Sequence, residues 1–276
     1  MWAHPGWRGS VFPADTPKGS ELEVYSTWCT AVEGNTSFYG LPSSVSVSRW
    51  LSQAPADFRF MFKLPRTITH DKRLRNVAAE VRDARERLAP LAAHIDTFHV
   101  QLPASFGPDG LPTLNQFLAE RSTDVGWSVE VRHREFANGG PAEAALHRVL
   151  ESVGAERVII DTRAVFAGPM ATAEEKEAFE RKPRLPVRPV AIGNLPVVRF
   201  IGQTDPASNP EWWAKWVPKV GEWLNQGRTP TVFIHTPDNA VAPLLARQFH
   251  DEVRQLVDNL APLPAPATAS SQLRLL

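Results

Sequence analysis

Seven short β-rich runs recur along the chain, with helical or loop stretches between them, and most end in a polar residue. They span 30–33, 58–63, 97–102, 127–132, 157–161, 197–202 and 231–235. An eighth is placed at Trp2-Ala3-His4. Strands spaced by helical patterns argue for βα units around a parallel sheet. Eight units in 276 residues predict an α/β protein with a single closed (β/α)8 TIM-barrel-like domain over residues 1–260, since such barrels use about 250 residues.

The helical stretches are read from three-four spacing. Leu74, Val77, Ala78, Val81, Ala84, Leu88, Leu91 and Ile95 form one apolar helix face. Leu114, Phe117 and Leu118 mark a shorter helix, and Leu146 to Val153 another, with Gly154 as its C-terminal cap. Asn209-Pro210 opens a helix rich in tryptophan, which Pro218 should kink. The tryptophans from 212 to 223 read as packing for a helix over the sheet. Val241 to Leu256 make the last helix. Residues 163–196 are too long for an ordinary connection, and they are expected to act as a lid that brings Arg181, Lys182 or Arg184 to the cleft. Residues 261–276 read as a flexible Pro/Ala/Ser tail.

Composition excludes several classes. Thirty Lys plus Arg balance thirty Asp plus Glu, so no global field draws in nucleic acid or an anionic membrane. No apolar run approaches the roughly 18 residues of a membrane span. The start carries no secretory signal, and Cys29 is the single cysteine, which fits a cytoplasmic protein without disulfides. Cys29 itself reads as a small buried residue.

The polar strand ends carry the chemistry. A parallel strand buried on both faces should be nearly all apolar. Here Glu33 with Asn35, Lys63, Gln101, Glu130 with Arg132, Asp161, Arg199 and His235 fall at or near strand ends, where barrels place their sites. Residues two apart share a strand face, so Glu33 and Asn35 point together, as do Glu130 and Arg132. Such ions also pair to hold strands together, and Glu130 with Lys63 or Asp161 with Arg199 are pairs of that kind.

Val32-Glu33-Gly34-Asn35-Thr36-Ser37-Phe38-Tyr39-Gly40-Leu41-Pro42, followed by Lys63 and Ile68-Thr69-His70, resembles the YecE-like family (domain of unknown function 72). Gln101-Leu102-Pro103, Val129-Glu130-Val131-Arg132-His133, Asp161 and Arg199-Phe200-Ile201-Gly202 continue the resemblance, which covers about residues 2–258. It implies a TIM-barrel-like fold, similar to metal-dependent sugar isomerases and endonuclease IV-like nucleases, and no established activity. Many members carry apolar residues ahead of the segment matching Trp2, so the first strand here is short or incomplete. His235 stands where many members have an amide.

Two ligand chemistries remain open. Glu33, Glu130, Asp161 and His235 make an oxygen-rich set suited to a divalent metal. Lys63, Arg132 and Arg199 oppose a dication and suit a phosphate or carboxylate. The expected function is a hydrolase or isomerase acting on a small anionic substrate. Glu33, Glu130 and Asp161 are its acid–base candidates, and His70 and His235 shuttle protons. Asn35, Lys63, Gln101, Arg132 and Arg199 bind substrate. The alternative is a nucleic-acid-linked repair or binding protein. Gln272, Leu273, Leu275 and Leu276 resemble the Gln-Leu-x-Leu-Phe peptide that docks on the DNA sliding clamp, departing from it at Leu276.

Overall fold

Seven strands form where the β-rich runs predict them: β1 (Ala31–Gly34), β2 (Arg59–Phe62), β3 (Thr97–Gln101), β4 (Gly126–Glu130), β5 (Glu156–Asp161), β6 (Val197–Ile201) and β7 (Thr231–His235). The computed structural model describes residues 2–120 and 125–263. The terminal Gln272, Leu273, Leu275 and Leu276 lie outside the described residues. Residues 261 and 263 belong to the body of the protein: the last helix, Ala242–Arg254, holds their carbonyls through His250 (2.8 Å) and Arg247 (3.3 Å).

The strands do not make the expected (β/α)8 barrel. A five-stranded parallel sheet runs in the order β3-β4-β5-β6-β7, and β1 and β2 form a separate parallel pair. The two sheets touch at one bridge between Lys63 and His99, where Leu64 N–H donates to the His99 carbonyl (2.9 Å). Trp2-Ala3-His4 supplies no eighth strand. Trp2 packs edge-on against Trp50 (4.9 Å) and Phe60 (5.9 Å), on the outer face of β2, and Pro5 opens a short turn directly after His4. No ladder joins β1 to β7. Glu33 on β1 nevertheless meets Arg199 on β6 and His235 on β7, so the strands curl toward each other through side chains.

Strand parity builds the interior. Ala31, Met61, Val158, Val197 and Phe233 cluster between the sheets as an apolar floor. Two residues later on the same strands, and so on the same face, stand Glu33, Lys63, Ile160, Arg199 and His235. The alternate residues Val32, Phe60, Phe98, Trp127, Val198 and Phe200 face outward into the helix layer. Trp213, Trp216 and Trp223 pack in that layer, as expected of core tryptophans. Cys29 is half-buried, and burial pushes its thiol up to about 11.

Two helix expectations change. The face from Leu74 to Ile95 is not one helix. Arg73, Leu74 and Asn76 adopt positive φ, the α-helix covers Ala78–Leu88, and Pro90 helps turn the continuation into the 3-10 segment Ala89–His94. The tryptophan-rich stretch breaks at Ala214 and Lys215, into helices Pro210–Trp213 and Trp216–Asn225. Pro218 therefore falls in a first turn, where its missing N–H forfeits no intrahelical bond, and it kinks nothing.

Gly34 ends β1 under tight steric control. A Cβ there would lie 2.2 Å from the ring of Phe62, which is buried and stacked on Phe60. Gly34→Ala is expected to cost about 1–3 kcal/mol in urea denaturation, the usual penalty of overpacking. An unchanged midpoint would contradict this packing.

Candidate functional site

The interior ends in a buried ionic cluster centred on Arg199. Its Nε donates to Glu33 Oε1 (2.5 Å) and its Nη2 to Glu33 Oε2 (3.2 Å), while Nη1 donates to Glu130 Oε2 (2.8 Å). Arg132 Nε donates to the other Glu130 oxygen (2.8 Å). His235 Nε2 lies 2.6 Å from Glu33 Oε2 and carries the shared proton, because an ionised carboxylate only accepts. Beneath them His99 sits 3.3 Å from Glu130 and 3.8 Å from Glu33, with both ring nitrogens outside hydrogen-bonding geometry.

This arrangement fixes the charges. Burial raises the carboxyls of Glu33 and Glu130, but the opposing effect of Arg199 is aided by His235 at Glu33 and by Arg132 at Glu130. Both are held well below the usual carboxylate range. Burial lowers His99 to about 4 against a weaker pull from Glu130, so its imidazole is neutral. His235 is lowered too, by burial and then by Arg199 and Lys182, in opposition to Glu33.

Lys63 and Lys182 add cations without carboxylates of their own. Lys63 Nζ donates to Gln101 Oε1 (2.9 Å). Burial and the Arg199 charge hold it down to about 7, against the pull of Glu33 and Glu130. Lys182 follows the helix Ala173–Arg181 in the 163–196 segment. It comes within electrostatic range of Arg199, Arg132, Glu130 and Glu33, and burial lowers its ammonium. The segment is pinned there: Thr162 Oγ1 donates to the Pro183 carbonyl (2.7 Å), and Glu156 accepts from Gly193 and Leu195 N–H. Of the three basic residues expected there, Lys182 is the one within electrostatic range of the cluster. Arg181 is exposed and pairs with Glu177, and Arg184 stacks over Phe166. A separate cavity of about 550 Å³ is lined by Arg134, Thr162, Arg163, Phe166, Arg184 and Trp212, among others, and by no member of the cluster.

The chain over which this geometry extends matches one family model, "Protein of unknown function DUF72", across residues 1–270. The chain belongs to the DUF72 family. It is 38% identical over 272 residues to UPF0759 protein YecE of Escherichia coli K12, covering 98% of this chain and 97% of that protein. Two solved DUF72 proteins share the fold. The one from Thermotoga maritima has a TM-score of 0.68 at 20% identity, covering 91% of this chain and 95% of that one. The one from Enterococcus faecalis has a TM-score of 0.63 at 19% identity, covering 86% and 95%.

Of the residues that sequence marked in this DUF72 chain, Glu33, Lys63, Gln101, Glu130, Arg132, Arg199 and His235 come together. Asn35 stands beside them, its Nδ2 3.5 Å from Glu33 and its buried Oδ1 without a partner. His70 lies on a π-helical turn, Thr67–Asp71, bonded to Thr69 Oγ1 (2.9 Å). Burial, Arg66 and Arg132 lower its imidazole. Asp161 does not join them. It faces the helix layer, where Arg163 (2.7 Å) and the Trp216 indole (2.8 Å) hold it. The proposed metal set therefore loses a member, and Arg199 occupies the facing oxygens of Glu33 and Glu130. Among the described residues, no three His, Cys, Asp or Glu side chains gather as metal ligands. No described helix is long and apolar enough to cross a membrane. Sequence reasoning missed His99, although it precedes Gln101 by two and shares its strand face.

The histidine gives a pH test. Between about 4 and the ordinary 6.5 the unfolded chain holds a proton that folded His99 refuses. Stability from this residue is therefore complete above 6.5 and is lost as pH falls toward 4. His70, His147 and His235 act in the same direction. His99→Gln is expected to lose less stability than wild type between these pH values in urea denaturation. Equal losses would contradict a buried neutral His99.

Proposed function

We propose that the protein is an enzyme that applies acid–base chemistry to a small substrate bearing a phosphate or carboxylate. One observation carries this reading: the two buried carboxylates are already bonded by Arg199 and Arg132, yet Lys63 and Lys182 converge on the same place. A cation surplus at a half-buried rim is relieved by an anion, and Arg132 and Lys182 are the groups placed to bind one. These cations gather at one place among short strand ends, which favours a small molecule over a nucleic-acid strand, which needs an extended basic groove.

The proton-carrying roles shift accordingly. Glu33 and Glu130 act as fixed counter-ions, because Arg199 holds them ionised. Lys63, held down to about 7, changes protonation near neutral pH, the range suited to moving protons in hydrolysis or isomerisation, while His235 and His70, both lowered from the ordinary 6.5, are neutral imidazoles there. Glu33 holds His235 with its proton on Nε2, and the second ring nitrogen, Nδ1, lies 3.3 Å from the Asn239 amide oxygen.

A thermal-shift screen with phosphorylated and carboxylated metabolites tests the reading, because a ligand bound to the folded state raises the apparent Tm. Anionic compounds are expected to stabilise the protein. A charge-assisted bond contributes about 1.5–3 kcal/mol, so Lys182→Met and Arg132→Gln should each weaken binding about tenfold or more. Stabilisation by neutral or cationic compounds alone, or unchanged affinity in both variants, would refute it.

A further inference from the structure

Lys63 differs from the two arginines of the cluster in what it bonds. Arg199 and Arg132 donate to carboxylates. Lys63 donates to a neutral amide oxygen, that of Gln101, and makes no salt bridge among the described residues. An amide acceptor orients an amine without requiring that it be charged. The residue follows β2 and is 8% exposed, in a cluster whose Arg132 and His235 side chains are 20% and 18% exposed. His70, Arg132 and Arg199 are its electrostatic neighbours.

We infer that Lys63 forms an imine with the carbonyl carbon of an aldehyde or ketone whose anionic group is held by Arg132 and Lys182. This rests on the anion-binding reading above and names the substrate class within it. The Lys63 Nζ lone pair attacks the carbonyl carbon, and the carbonyl oxygen takes up a proton to give a carbinolamine. That hydroxyl then leaves as water after a second protonation, and the amine supplies the C=N bond. The balance is one carbonyl and one primary amine in, one imine and one water out, with no oxidant or reductant. His70 and His235 are the nitrogens placed to pass these protons. The protonated imine withdraws electrons from the neighbouring carbon, which makes proton removal there, and hence isomerisation or carbon–carbon cleavage, accessible.

The amine must be uncharged to attack. Burial and Arg199 bring Lys63 to about 7, so near neutral pH about half of it is free amine, against roughly one part in a few thousand for an ordinary lysine. The test uses the intact chain at pH 7 with glyoxylate, a small anionic aldehyde, and cyanoborohydride to reduce any imine, followed by peptide mass spectrometry. Lys63 is expected to be labelled at least about tenfold faster than the exposed Lys18, Lys176 and Lys215. Inorganic phosphate should slow its labelling, and Arg132→Gln should slow trapping of glyoxylate more than that of neutral acetaldehyde.

The outcomes separate the two readings. Labelling of Lys63 no faster than the exposed lysines overturns the imine, even if anions stabilise the protein. Rapid labelling that is indifferent to phosphate and to the charge of the aldehyde shows a reactive amine and overturns its coupling to an anion site, and with it the anion-binding reading.

Discussion

Arg199 is the side chain on which the rest of the arrangement depends. A guanidinium this deeply buried is tolerable only when its charge is matched and its donors are satisfied, and Glu33 and Glu130 do both. In return it ties β6 to β1 and β4, bridging two sheets that share one backbone bridge. The ionic cluster thereby joins β1, β4, β6 and β7 through side chains. Glu33, Lys63, Arg199 and His235 are presented by strands whose preceding inward residues form an apolar floor, whereas buried His99 and Ser128 precede Gln101 and Glu130.

The same bonding decides which groups are free for chemistry. Carboxylates at strand ends invite an acid–base reading, but Glu33 and Glu130 each have both oxygens engaged, and the arginines hold them ionised. Their service is electrostatic: they allow cations to gather. Lys63 lies in the same field and responds in the opposite sense. It is crowded by Arg199 and desolvated, so its proton is weakly held. One guanidinium thus stabilises two anions and destabilises one ammonium, and an amine with a weakly held proton arises beside Arg132 and Arg199.

Much of this was legible in the sequence, for a physical reason. Inward and outward residues alternate along a strand, so a polar residue interrupting an apolar run marks the site, and Glu33, Lys63, Glu130 and Arg199 were found that way. The same parity applied to β3 points to His99, two residues before Gln101. Asp161 was misplaced because which parity faces inward depends on pairing between strands: Ile160, not Asp161, stands opposite Arg199 in the register. The missing eighth strand has a related cause. Counting βα units reports how many strands a chain can make, whereas closure depends on whether the end strands form a ladder, and here β1 and β7 meet through Glu33 and His235 instead. Lys182 was foreseen only as one of three neighbouring basic residues. The Thr162–Pro183 bond that sets the course of its segment joins positions that no periodic pattern links.

The most direct measurement is a titration of the glutamate side-chain carboxyls by carbon-13 NMR in protein labelled at that position, with Glu33 and Glu130 assigned by substitution. If Arg199 holds both carboxylates, neither resonance moves on lowering pH until well below the ordinary 4.5. In Arg199→Met, at least one of them takes up its proton above that value, because burial then acts without its counter-charge. Titration of either residue at or above 4.5 in the wild-type protein would contradict the account.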